Sequence, residues 1–167
     1  MSGIYIAFGA NLSNPKSNFL RAIDSLLSYN VSVLKISGLW QSPAWPPGSN
    51  QPDYINACAQ VCYSATAQEL LQILHAVEAQ FGRVRGVKNA ARTLDLDLLD
   101  FKGEIIKQND ITVPHPRLYN RSFVLLPLSE IAPDWTDPHQ GLTVWDWIKR
   151  LPLQDTVDLQ RISGLLL

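Results

Sequence analysis

Cysteine is nearly missing from this chain: there are two in 167 residues, Cys58 and Cys62. They stand four apart in a strand-like run, so their Cα atoms should lie roughly 13 Å apart at ~3.3 Å per residue. A mutual disulfide needs under ~7 Å. Both are therefore expected as free thiols, which fits a reducing compartment. An excess of charge is missing too: 14 Lys and Arg stand against 15 Asp and Glu. That leaves no overall electrostatic footprint for nucleic acid or an anionic membrane. No apolar run approaches the ~18 residues of a membrane span. The opening MSGIYIAFGANLSNP has no basic leader and reads as a strand entering a loop, not as a signal peptide. The cytoplasm is the expected location. The nine glycines nowhere spell G-x-x-x-x-G-K, so any bound nucleotide must have its phosphates held without a P-loop. No internal repeat, low-complexity tract or domain linker is visible.

What is present is an ordinary globular composition, 46% apolar and 17% charged, at a length that suits one domain spanning 1–167 with a real core. IYIAFG (4–9) reads as a strand. Asn14 and Pro15 then offer an N-cap and a first helical residue, and Phe19, Leu20, Ile23, Leu26 and Leu27 share one helix face. VSVLKISGLW (31–40) is a second strand, followed by the Pro- and Gly-rich loop 42–53, long enough to suggest a function. YINACAQVCYS (54–64) alternates with Ile55, Ala57, Ala59 and Val61 on one face. Thr66 and Glu69 form a capping box for a helix with the stripe Leu70, Leu71, Leu74, Val77 and Phe81, ended by Gly82. A basic loop (83–91) leads to the strand LDLDLLDF, and Lys102-Gly103 suggests a turn into EIIK. After a Pro-punctuated connection (112–122), FVLLPLSEI (123–131) and LTVWDWIKRL (142–151) read as helices. The tail ISGLLL (162–167) either packs as a last strand or is exposed. The order β-α-β-β-α-β with extra helices predicts an α+β fold, a ferredoxin-like antiparallel sheet sandwich with additional helices.

The fourth strand carries an unusual pair. Asp95 and Asp97 point to one face because strand side chains have period two, and Asp has poor strand propensity. Leu94, Leu96 and Leu98 take the other face. Two same-side carboxylates repel unless a cation lies between them. With oxygen ligands and no neighbouring His or Cys, that cation would be Mg²⁺. The alternative is a solvated sheet face. Two features weigh against it: the missing P-loop, and a cationic rim in which Arg83, Arg85, Lys88 and Arg92 precede the pair and His115, Arg117 and Arg121 follow it. Such a rim suits polyphosphate held between metal and arginine, or else balances charge. His115 reads as a phosphate donor or a loop histidine, and Glu78 as a ligand contact or a surface residue. Tyr54, Trp45 and Phe123 read as core residues or as platforms for a flat ring. Asn56, two residues from Tyr54 on the same strand face, offers donors and an acceptor to a heterocycle edge.

QPDYINA, FGRVR, RTLDLDLL and TVPHPRLYNRSFVLLPLSEIAP, in this order, with FGANL near the start and SP at 42–43, resemble the 6-hydroxymethyl-7,8-dihydropterin pyrophosphokinase family of folate biosynthesis. The likeness runs from about residue 4 to about residue 150. It implies a ferredoxin-like sandwich that moves the β,γ-pyrophosphoryl group of ATP to the pterin hydroxymethyl oxygen and releases AMP, with two Mg²⁺ ions. It implies Asp95 and Asp97 as metal ligands, and Arg83 and Arg92 as supports of the transferring and departing phosphates, with Arg85 beside them. His115 and Arg121 match phosphate contacts, Glu78 a nucleotide contact, and Ile111 and Thr112 positions whose backbone meets adenine. Tyr54 and Phe123 match a pair that sandwiches the pterin, Asn56 a ring-edge partner, and Ser42, Pro43 and Trp45 a pterin-site loop. Where many members carry Trp-Gly-Pro-Arg, this chain has Asn89-Ala90-Ala91-Arg92. His75 stands where some have Gln, and Pro116 where some have Tyr. The family likeness favours a monomer acting on small molecules, with neither nucleic acid nor membrane as partner. A nucleotidyltransferase with paired aspartates, and a ferredoxin-like binding module, are the two rival readings.

Overall fold

Strand β1 (Ile4–Ala10) runs through the middle of a sheet that the rest of the chain builds outward. The computed structural model describes residues 3–83, 90–108 and 110–165, the side chains of 163–165 excepted. Helix α1 (Pro15–Ser28) starts at Asn14, whose Oδ1 accepts the Ser17 N–H at 3.0 Å. It buries Phe19, Ala22 and Leu26, while Leu27, counted in the stripe, is exposed. The run 31–40 is two strands rather than one, β2 (Ser32–Ile36) and β3 (Gly38–Ser42). The break falls at Ser37, which keeps the ladder intact through its Oγ, an acceptor for the Cys58 N–H at 3.0 Å. Both strands pair with β4 (Tyr54–Cys62). Helix α2 (Ala67–Gln80) has the reciprocal Thr66–Glu69 capping box, and β5 (Asp95–Phe101) follows.

The main sheet has the order β5-β1-β4-β3-β8, where β8 is Gln160–Leu165, with β2 also on β4, and all pairings are antiparallel. Its first four members reproduce the ferredoxin-like arrangement. Strand alternation sends Ile6, Phe8, Ala57, Ala59, Leu94 and Leu96 to one face, where they meet α1 and α2 in a single core. The opposite face is not bare. Tyr5, Ala7, Cys58 and Leu99 meet Leu125, Leu128 and Trp135 in a second core, under α3 (Ser122–Ile131) and α4 (Val144–Arg150). The additional helices thus convert the two-layer unit into three layers. Pro127 lies inside α3 and removes one helical hydrogen bond, yet the helix continues because it is buried along most of its length.

The register between β1 and β5 shifts once: Ile6 faces Leu98 but Tyr5 faces Asp100, leaving Leu99 as the extra residue. Such a bulge re-aims side chains, and here it lets Asp100 accept the Trp135 Nε1–H at 2.7 Å in the second core. After the Lys102-Gly103 turn, both residues of which have positive φ, β6 (Ile106–Gln108) and β7 (Ile111–Val113) form a separate hairpin. The short helix α5 (Leu153–Val157) leads into β8 (Gln160–Leu165). Residues 162–165 of the apolar tail therefore lie in a strand along the β3 edge.

Candidate active site

A cleft of about 970 Å³ opens on the second face of the sheet, with Gly9, Tyr54, Asn56, Asp95, Asp97 and Phe123 among its lining residues. Its floor follows the sheet register. Asp95 lies opposite Gly9 on β1, Gly9 opposite Asn56 on β4, and Asn56 opposite Trp40 on β3. One row of paired backbone therefore carries a carboxylate at one end and the ring-edge candidate further along. Gly9 sits between them; a Cβ there would stand 3.8 Å from both Asn56 Oδ1 and Asp95 Cβ.

The carboxylate end is densely ion-paired. Asp95 Oδ2 accepts from Arg92 Nη1 at 2.7 Å, and Asp95 Oδ1 accepts from Arg83 Nη1. Burial alone would raise the Asp95 carboxyl, but the guanidiniums of Arg83 and Arg92 outweigh it and hold it below the usual carboxylate range. Asp97 Oδ2 accepts from Arg121 Nη1 at 3.0 Å. Arg121 immediately precedes α3 and lies 5.5 Å from the Phe123 ring centre, so one residue touches both ends of the cleft.

Other expected residues stand behind this front. Glu78 is buried on α2, accepts the Leu96 N–H at 2.7 Å, and takes a second bond from Arg83; it braces the strand and the arginine from the core side. His115 Nδ1 accepts the Arg117 N–H at 3.1 Å, so the proton of the neutral ring sits on Nε2, which is 3.9 Å from Asp97 Oδ1. Burial holds the imidazole below its ordinary value; Asp97 opposes that shift, and Arg121 and Arg117 add to it. His115 is therefore a donor near neutral pH rather than a base. Ile111 is buried and Thr112 exposed on β7. Arg85 and Lys88 fall outside the described residues.

At the other end, all of Ser42, Pro43, Trp45, Tyr54, Asn56 and Phe123 line the cleft. The Asn56 amide donates to Ser42 Oγ at 2.9 Å and to the Trp40 carbonyl at 3.2 Å. Its Oδ1 is what remains for a ligand, and that oxygen takes N–H groups. Trp45 is 62% exposed on its loop, an open position for a large aromatic side chain.

Sequence reasoning missed Asn11, although FGANL was noticed. Asn11 is 4% exposed. Its Oδ1 accepts the Arg92 N–H at 2.7 Å, its N–H donates to the Arg92 carbonyl at 2.9 Å, and its Nδ2 reaches Gln51 Oε1 at 3.2 Å and the Pro52 carbonyl at 3.1 Å. The signal in the sequence was its place in FGANL, just past a strand end.

Residues 5–133 match the family described as 7,8-dihydro-6-hydroxymethylpterin-pyrophosphokinase. The chain is similar to a 2-amino-4-hydroxy-6-hydroxymethyldihydropteridine pyrophosphokinase of Synechocystis sp., 41% identical over 89% of this chain and 76% of that protein. It is similar to the protein of the same name from Haemophilus influenzae, 39% identical over 83% of this chain and 86% of that one. It also matches the folic acid synthesis protein fol1 of Pneumocystis carinii, 34% identical over 89% of this chain but 20% of that longer protein.

Proposed function

Because the chain belongs to the 7,8-dihydro-6-hydroxymethylpterin-pyrophosphokinase family, we propose that its cleft holds ATP phosphates at the Asp95–Asp97 end and the pterin ring at the Tyr54–Phe123 end. The protein transfers pyrophosphate from ATP to 6-hydroxymethyl-7,8-dihydropterin in folate biosynthesis. The observation that carries the site assignment is the sheet row itself. It sets Asp95, ion-paired with Arg92, two strands away from Asn56, with Gly9 of β1 between them; Asp97, ion-paired with Arg121, lies two residues further along β5.

In the reaction, the hydroxymethyl oxygen bonds to the β-phosphorus of ATP and the Pα–O–Pβ bridge breaks. AMP leaves with the bridging oxygen, and the hydroxyl proton goes to solvent. Such transfer asks little covalent work of the protein and much positioning and charge neutralisation. Arg83, Arg92 and Arg121 supply fixed positive charge around the phosphates, and His115 supplies an N–H. Glu78 acts by holding Arg83 and β5, beside any nucleotide contact it makes. Asn56 Oδ1 meets the N–H edge of the pterin, between the Tyr54 and Phe123 rings. Ile111 and Thr112 on β7 offer backbone groups to adenine, and Arg85 joins the phosphate arginines.

The donor set fits Mg²⁺. Among the described residues no group of three or more His, Cys, Asp or Glu side chains could hold a metal. Two carboxylates completed by water and substrate phosphates is, however, a usual Mg²⁺ arrangement. Asp95 and Asp97 would hold two such ions, which when bound neutralise phosphate charge and acidify the hydroxyl. From the family likeness we take the protein as a cytoplasmic monomer. No helix among the described residues is long and apolar enough to cross a membrane.

The test is a product assay with ATP, Mg²⁺ and the pterin. AMP that requires the pterin, stops with chelator and is lost in Asp97→Ala supports the assignment. Pyrophosphate with an adenylated product points to nucleotidyl transfer. Nucleotide binding without turnover points to a binding module.

A further inference from the structure

The matched family region ends at residue 133, but the cleft does not: Asp155, Asp158 and Leu159 are among its lining residues. They belong to the segment that forms α5 and β8. Gln160 pairs with Gln41 and Arg161 with Trp40, so β8 continues the same row across the sheet, beyond Asn56 and away from Asp95. Leu159 and Asp158 come just before that pairing begins. They therefore stand beside the end of β3, where Ser42 leads into the loop that carries Pro43 and Trp45. Leu159 is 6% exposed, packed in rather than hanging over the opening.

The segment is anchored, not merely adjacent. Glu130 on α3 accepts from Arg161 Nε at 2.8 Å and from Trp40 Nε1 at 3.0 Å through Oε1, and from the Gly38 N–H at 2.8 Å through Oε2. One carboxylate thus ties α3, β3 and β8 together. Gly38 leaves room for Arg161, since a Cβ there would stand 2.7 Å from Nη2 of the guanidinium. From this geometry we infer that the C-terminal segment 152–165 is part of the pterin site. It fixes the β3 end that launches the Ser42–Trp45 loop and closes the ring end of the cleft with Leu159 and Asp158. Leu159 and Asp158 set how large a ring the cleft takes, and Arg161 and Glu130 are positioning residues acting through β8 and β3.

The inference rests on the pterin reading of the Tyr54–Phe123 end. The experiment measures KM for ATP and for 6-hydroxymethyl-7,8-dihydropterin separately, with kcat, in the wild type, Leu159→Ala, Asp158→Asn, Arg161→Ala and Arg161→Lys. Expected in Leu159→Ala and Arg161→Ala is a rise of about five- to tenfold in the pterin KM. Their ATP KM should stay within about twofold, and Arg161→Lys should recover part of the loss. Far-UV circular dichroism and thermal melts check that each variant is folded. If Leu159→Ala or Arg161→Ala does not fold, Asp158→Asn, exposed and outside the core, decides by the same split. A folded set with unchanged pterin KM, or with both KM values rising together, overturns the inference while leaving the function intact. A wild type that does not turn over the pterin overturns the site reading, and the inference with it.

Discussion

Asn11 Oδ1 and the backbone N–H of Arg92 lie 2.7 Å apart, so a buried amide just past β1 fixes the main chain that presents the Arg92 guanidinium to Asp95. The same side chain donates to Gln51 and Pro52 in the other long loop. Asn11→Ala leaves the Arg92 N–H without this acceptor, an expected cost of about 1–3 kcal/mol, and lowers kcat/KM while Asp95 and Asp97 stay in place. Asn11→Asp keeps the acceptor and loses the two donations, so it should fall between wild type and alanine. Denaturant melts and initial rates on the three proteins check the order.

Arg92 reaches Asp95 Oδ2 at 2.7 Å from the mouth of the cleft. Arg92→Ala should reduce AMP formation by about 10²–10³-fold, the usual cost of one transition-state charge partner. Arg92→Lys should restore little, because an ammonium cannot reproduce a planar fork. Single-turnover AMP formation at saturating ATP separates this from weaker binding.

The two thiols should behave differently. Cys58 is fully buried between β4 and α3, its Sγ 3.5 Å from the Val124 carbonyl, and burial pushes its thiol far up. Cys62 is exposed. Native protein should therefore react with one equivalent of a thiol reagent, at Cys62, and with a second only after unfolding. Peptide mapping after brief labelling checks the site.

Burial also pushes the Asp100 carboxyl above its usual range, against the hydrogen bonds from Trp135 and Gly103. Between the ordinary value and the raised one, the folded protein keeps a proton that the unfolded chain has lost. Stability therefore falls as pH rises through that window. Asp100→Asn cannot titrate and retains one acceptor for two donors. It should be less stable than wild type at the acid side, with the gap narrowing as pH rises. Melts across the acid range on both proteins give the gap directly.

Local signals carried the first half of the fold. Asn14-Pro15 and Thr66–Glu69 start helices through contacts within one turn, and the alternation of Leu94, Leu96 and Leu98 needs only strand geometry. The break at Ser37 and the bulge at Leu99 depend on partner strands, so a linear pattern cannot show them. The second core was hidden for a similar reason: Tyr5, Ala7 and Cys58 occupy the face opposite α1 and α2, and only α3 and α4 make that face interior. Asp95, Asp97, Tyr54 and Phe123 stood out as residues out of place in a strand or flanking a loop. Asn11, Glu130 and Leu159 did not, because their roles consist of ties between segments far apart in sequence.

Gly9 gives the floor of the cleft the character of a mountain pass. Ile6, Phe8 and Ala10 point away from it into the core, and on its own side only hydrogen stands between the amide of Asn56 and the carboxylate of Asp95. A branched side chain raised at that point would leave both valleys habitable, each with its own occupant, and close the crossing. On the proposed placement of ATP and pterin, occupancy and chemistry would then come apart with every proposed contact side chain still in place.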